Sequence, residues 1–110
     1  MELVVEIGKR RSHRFERLAA GNEPLLLGRA FHCDLLLQDK TVDATHASIT
    51  LRTSEVGIAE LLIEDLHSAN GSRLNGKALT PGQATPLHSG DRLELGGTSL
   101  RIYHRDHPVG

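Results

Sequence analysis

Apolar and polar residues alternate at period two along much of this chain, and Gly and Asn turns cut the pattern at short intervals. Ala47, Ile49 and Leu51 alternate with Ser48, Thr50 and Arg52. Leu93 and Leu95 alternate with Arg92 and Glu94, and Leu100 and Ile102 with Ser99, Arg101 and Tyr103. Successive side chains of a strand point to opposite faces, so each segment predicts a strand with one buried and one wet face. Short apolar runs at Leu3–Ile7, Leu25–Leu27, Leu35–Leu37 and Leu61–Ile63 predict strands buried more deeply. No stretch sustains apolar residues at helical spacing. The breaks fall at Gly21-Asn22, Gly28, Asn70-Gly71, Asn75-Gly76, Pro81-Gly82, Gly90-Asp91 and Gly96-Gly97. Asn75-Gly76 separates Arg73-Leu74 from Lys77-Ala78-Leu79, a two-residue hairpin signal because both central residues tolerate positive φ. Many short strands with regular turns predict an all-β sandwich or barrel.

A chain of 110 residues fits one domain with one core. Phe15, Phe31 and Tyr103 are its only aromatic residues, too few to stack successive bases of a single strand. The net charge of −1 gives no basic footprint for nucleic acid or an anionic membrane. Cys33 stands alone and forms no disulfide within the chain, which fits a reducing compartment. The opening MELVVEIGKRR has too short an apolar stretch for a signal peptide or a span. A cytoplasmic protein is expected.

The seven histidines (His13, His32, His46, His67, His88, His104, His107) show no zinc-finger or helical ligand pattern, and the His104–His107 pair lies in the expected frayed tail, where a fixed coordination geometry is hard to hold, so no metal or cofactor is expected. No Ser or Cys motif supplies a nucleophile with its base. Cys33 reads as a small buried hydrophobe. Glu64-Asp65 falls at a strand end, where an exposed, hydrogen-bonding role is expected rather than acid–base work. Nothing in the sequence points to an enzyme.

Five motifs share one order. Gly28-Arg29 follows the Leu25–Leu27 strand. His46 leads into the Ala47–Leu51 strand. Asp65-Leu66-His67-Ser68-Ala69-Asn70-Gly71-Ser72 precedes Leu74-Asn75-Gly76, and Gly90-Asp91-Arg92-Leu93-Glu94-Leu95-Gly96 closes the series. Singly, each reads as a solvated charge, a structural histidine or a turn. Together, from about Leu3 to Tyr103, they resemble the forkhead-associated (FHA) domain. That resemblance implies a two-sheet β-sandwich of about eleven short strands, with a binding surface made of loops at one end. It implies recognition of phosphothreonine in an extended segment of a partner protein.

On that resemblance Arg29 is the phosphate ligand, its planar fork of donors matching phosphate oxygens. Asn70 matches the asparagine that hydrogen-bonds the peptide backbone. His46 braces the loop that forms the pocket. Ser68 and Ser72 match motif serines, Ser68 within the binding loops in a supporting part. Gly28, Gly71 and Gly76 are backbone positions. The family's loop reads Ser-Arg-x-His, whereas this one reads Asp43-Ala44-Thr45-His46. An acceptor-only carboxylate stands where a phosphate donor belongs, and Ala69 precedes Asn70 where a hydroxyl or basic residue is usual. Asp43 either repels phosphate or pairs with Arg29, and Thr41 and Thr45 are candidate replacement hydroxyls. Two uses of the surface stay open: phosphothreonine binding through a modified pocket, or phosphate-independent protein contact within a larger secretion or signalling assembly. Residues 1–104 are expected to form the sandwich, and residues 105–110 a frayed tail or the start of a linker.

Overall fold

The computed structural model describes residues 1–9 and 12–105. Among them lie eleven strands and no helix: β1 Glu2–Lys9, β2 Ser12–Ala19, β3 Leu25–Gly28, β4 Leu35–Leu36, β5 Ala47–Thr53, β6 Ala59–Asp65, β7 Ser72–Leu74, β8 Lys77–Ala78, β9 Thr85–Leu87, β10 Asp91–Leu95 and β11 Thr98–Arg105. One sheet has the order β2-β1-β11-β10-β7-β8, and the other the order β4-β3-β5-β6-β9. All pairings are antiparallel except β3 with β4, which run parallel through Leu27↔Leu35 and Gly28↔Leu36.

The alternation read from the sequence is the layer structure of the sandwich. Leu3 and Val5 of β1, Leu93 and Leu95 of β10, and Leu100 and Ile102 of β11 are buried on the inner face of the first sheet. Leu25, Leu27, Ala47, Ile49, Leu61 and Ile63 meet them from the second. Each fully buried leucine or isoleucine contributes about 1.5–3 kcal/mol relative to exposure. Asn75 and Gly76 both have positive φ (50° and 85°), and the hairpin joins β7 to β8 where the dipeptide predicts it.

Three details depart from the sequence reading. The strand β2 carries no clear alternation, yet it pairs with β1 along its length from Glu2↔Ala19 to Lys9↔Ser12. It is an edge strand with Phe15 exposed, so its sequence is not shaped by burial on two sides. β11 continues through His104 to Arg105, held by pairing with Glu2 and Leu3 of β1. The rest of the expected tail, His107 included, lies outside the described residues. Asp65 is fully buried rather than exposed. It shares the inward parity of Leu61 and Ile63 along β6, so the register that buries them buries its carboxylate too.

β3 ends, β5 begins, β6 ends and β7 begins at the same end of the sandwich, as the pairs Leu27↔Ala47 and Ala47↔Asp65 require. The pairs Leu95↔Ser72 and Leu95↔Thr98 bring the β10–β11 turn there as well. The segments 29–34, 37–46, 66–71 and 96–97 therefore converge from both sheets.

Candidate recognition loops at one end of the sandwich

Gly28 makes the first loop contact possible. A Cβ at this position would stand 2.3 Å from the Ala44 carbonyl oxygen and 2.9 Å from that of Asp43. Without one, the end of β3 lies flat against the 43–44 backbone, and Arg29 N–H donates to Asp43 O while Ala30 N–H donates to Ala44 O. The side chain of Arg29 is anchored at its base, with Nε donating to Val42 O at 3.0 Å. Arg29 is exposed, and among the described residues the two terminal nitrogens of its guanidinium have no hydrogen-bond or ion-pair partner.

His46 joins this loop to the next. Its ring is completely buried. Nδ1 accepts the Asp43 N–H at 3.0 Å, so the ring proton sits on Nε2 and is donated to Gly71 O at 2.9 Å. The Leu66 N–H bonds to His46 O, a second tie between the same loops. These bonds tie the 43–46 segment to the 66–71 loop through one buried ring.

Asp65 lies beneath these loops. Its carboxylate accepts the Ser68 N–H and the hydroxyls of Ser68 (2.6 Å) and Ser72, and its Oδ1 is 3.8 Å from His46 Nε2. Burial works against the charge on Asp65. The Ser68 and Ser72 hydroxyls, the Ser68 N–H and the neighbouring His46 outweigh it and hold the carboxyl below its ordinary value. Asp65 belongs to one sheet and Ser72 to the other, so this group also pins the sheets together at this end of the sandwich.

The structure brings Arg29, Asp43, His46 and Asn70 together through the 41–46 segment. Asn70 donates one amide N–H to Thr41 O at 2.9 Å, leaving Oδ1 and the second N–H facing solvent. The Asp43 carboxylate accepts the Ala69 N–H at 3.0 Å. It does not pair with Arg29 among the described residues, so the internal ion pair weighed from the sequence is replaced by a bond to the adjacent loop.

The hydroxyl candidates are engaged elsewhere. Thr41 Oγ1 donates to Asp39 Oδ1 and accepts the Gly97 N–H. Thr45 Oγ1 lies 3.1 Å from His32 Nε2. The Ser68 hydroxyl proton goes to Asp65. Sequence reasoning missed Asp39, which also accepts the Thr98 hydroxyl and so locks the β10–β11 turn to the 37–46 segment. Thr41, two residues on, gives Asp39 Oδ1 both its N–H and its hydroxyl, but the Thr98 partner is distant in sequence and no local pattern marks it. Cys33 is buried, and its Sγ–H donates to Ala44 O. Burial raises its pKa, with Asp34 adding to the rise and a hydrogen bond to the Ala30 backbone opposing it, which keeps the thiol protonated.

The fold and the site define a class: a β-sandwich that presents convergent loops as a recognition surface. The FHA domain family model matches residues 25–96, and the chain belongs to that family. FHA domains are protein-interaction modules, and this chain is one of them. It is 33% identical over 86 residues to the FHA domain-containing protein FhaB of Mycolicibacterium smegmatis, across 78% of this chain and 51% of that protein. The chain thus spans about half the length of the curated relatives it matches first. The FHA domain of the CT664 protein from Chlamydia trachomatis superposes with a TM-score of 0.80 at 20% identity, covering 96% of this chain and 100% of that one. The N-terminal FHA domain of RAD53P from S. cerevisiae, solved in complex with a phosphothreonine peptide, superposes with a TM-score of 0.80 at 24% identity. It covers 96% of this chain and 94% of the other.

Proposed function

We propose that this domain binds a threonine-phosphorylated segment of a partner protein, with Arg29 receiving the phosphate and Asn70 the peptide backbone. The observation that carries this reading is the state of Arg29. Its Nε is fixed to Val42 O while its terminal nitrogens are displayed without a partner among the described residues. A guanidinium held at its base loses little side-chain freedom on meeting a phosphate. Asn70 lies across the same segment with a free acceptor and donor, the pair that an extended backbone needs. His46, Asp65, Ser68, Ser72 and Gly71 hold the loops and do not touch the ligand. On this reading the domain catalyses nothing and takes no cofactor. Its partner is a protein rather than nucleic acid or a membrane, consistent with a net charge of −1. The free Cys33 fits a cytoplasmic setting.

One observation favours a second reading, phosphate-independent protein contact. The Ala69 N–H, a backbone donor at the mouth of the site, is already taken by the Asp43 carboxylate. Calorimetric titration with a phosphothreonine peptide library and its unphosphorylated counterpart separates the two. Phosphate-dependent binding, at least tenfold by the strength of a charge-assisted pair, is expected and should vanish in Arg29→Ala. Equal binding of both libraries would establish the second reading and overturn the first.

A further inference from the structure

We propose that Phe31 is a specificity-determining contact that selects partner segments carrying a large aliphatic or aromatic residue within about three positions of the phosphothreonine. This inference rests on the phosphopeptide reading of Arg29 and adds to it the chemical character of the partner. Phe31 is 94% exposed, the highest value among the exposed large apolar side chains. Single exposed hydrophobes are common on protein surfaces, so exposure alone decides nothing. The surroundings of Phe31 decide it.

The segment between β3 and β4 is held at every turn around this ring. Ala30 N–H donates to Ala44 O and Cys33 N–H to Ala30 O. Cys33 Sγ–H donates to the same Ala44 carbonyl. His32 Nε2 meets Thr45 Oγ1, and Asp34 Oδ2 accepts the Leu26 N–H at 2.8 Å. The residues on both sides of Phe31 are tied down, while its own ring stands in water. A rigid loop presenting an aromatic ring binds without the entropic cost of ordering itself. Aromatic side chains of this kind dominate interface energetics once covered.

Position points the same way. Phe31 follows Arg29 by two residues, so their Cα atoms are at most about 7 Å apart. A bound extended segment advances about 3.3 Å per residue. Three residues of such a segment span about 10 Å, so an apolar residue within about three positions of the phosphoresidue lies within range of the loop that carries the ring. The other strongly exposed apolar side chains lie elsewhere: Phe15 on the edge strand β2, and Val56 and Ile58 in the turn between β5 and β6, away from the recognition loops.

The test walks one leucine through the three positions on each side of phosphothreonine in a Ser/Gly peptide, measured by fluorescence anisotropy. A matched unphosphorylated series runs beside it. Wild type, Phe31→Ser, Phe31→Leu and Arg29→Ala are compared, with circular dichroism confirming the fold. In at least one register leucine should tighten binding about tenfold, the scale of covering one large apolar side chain. Phe31→Ser should erase that gain while leaving affinity for the leucine-free peptide intact, and Phe31→Leu should keep most of it. A leucine preference that persists in Phe31→Ser overturns the inference, as does an equal loss for every peptide. A leucine preference in the unphosphorylated series that Phe31→Ser erases sustains the contact and sinks the phosphate reading. Failure of both series to bind wild type overturns both.

Discussion

The loop end of the sandwich has two layers, and their polar groups are in opposite states. In the lower layer every strong donor and acceptor is matched. Asp65 accepts from Ser68 and Ser72, and His46 bridges Asp43 N–H to Gly71 O. In the upper layer Arg29 and Asn70 are each fixed by one bond and keep further donors or acceptors in water. A buried polar group left without a partner costs about 1–3 kcal/mol, whereas an exposed one costs almost nothing. Motif residues of one chain thus divide into those that hold the loops and those that are left available for a ligand. Substitutions in the two layers should separate stability from binding.

The largest effect is expected beneath the loops. Asp65→Ala removes a buried acceptor from three hydrogen bonds and leaves the Ser72 hydroxyl unpaired, so urea denaturation should show a loss of about 3 kcal/mol. Arg29→Ala should leave stability within about 0.5 kcal/mol, as expected for an exposed side chain away from the core. A similar loss in both variants would erase the distinction between the layers. The same carboxylate sets a pH dependence. Its folded pKa is lowered, so its contribution is fully present above the ordinary value of 3.8 and is lost as pH falls below that value through the folded one. Asp65→Asn should flatten the acid limb of the stability profile, and an unchanged limb would show that other carboxylates govern it.

Gly28 tests whether the layers meet through close backbone approach. Gly28→Ala puts a methyl group 2.3 Å from the Ala44 carbonyl oxygen, so β3 and the 43–44 segment must separate. The expected cost is about 2 kcal/mol, within the range for overpacking a tight site. Gly21→Ala is the control, because a Cβ there meets nothing within 4 Å. Equal thermal shifts in the two variants would contradict the close approach.

The sequence made the lower layer only half legible. Strand alternation and the Asn75-Gly76 hairpin were readable because each is a local pattern. The parity of Asp65 with Leu61 and Ile63 was also present, and following it past the apolar run would have placed the carboxylate in the interior. β2 was hidden because an edge strand needs no inward alternation at every position, and β4 is only two residues long. The commitments of Thr41, Thr45 and Ser68 could not be read locally. Thr41 meets Gly97 from the far side of the sequence, and Thr45 meets His32 of another loop. The resemblance named the candidate site residues, but only tertiary contacts show which of their atoms remain free.

The smallest predicted effect falls where the layers touch. Asp43 belongs to both: its N–H serves His46 below, while its carboxylate accepts the Ala69 N–H at the rim. A phosphate arriving at Arg29 would meet that carboxylate. Two unit charges about 4 Å apart repel by roughly 1 kcal/mol in water and roughly 4 kcal/mol at an effective dielectric of about 20. The bond to Ala69 already offsets part of the carboxylate's charge, so the lower end of that range applies. Asp43→Ser removes the repulsion, adds a hydroxyl donor and frees the Ala69 N–H for the ligand. Phosphothreonine peptide should bind about tenfold tighter, equivalent to about 1.4 kcal/mol. Stability should fall by about 1 kcal/mol for the lost hydrogen bond. The gain should shrink at high salt, where exposed charges are screened within about 10 Å at 0.1 M. It should also disappear in the Arg29→Ala background, since the phosphate then has no cation to meet. An affinity unchanged by Asp43→Ser but abolished by Arg29→Ala would mean that the Asp43 carboxylate belongs wholly to the lower layer. Its bond to Ala69 would then be a brace rather than a barrier.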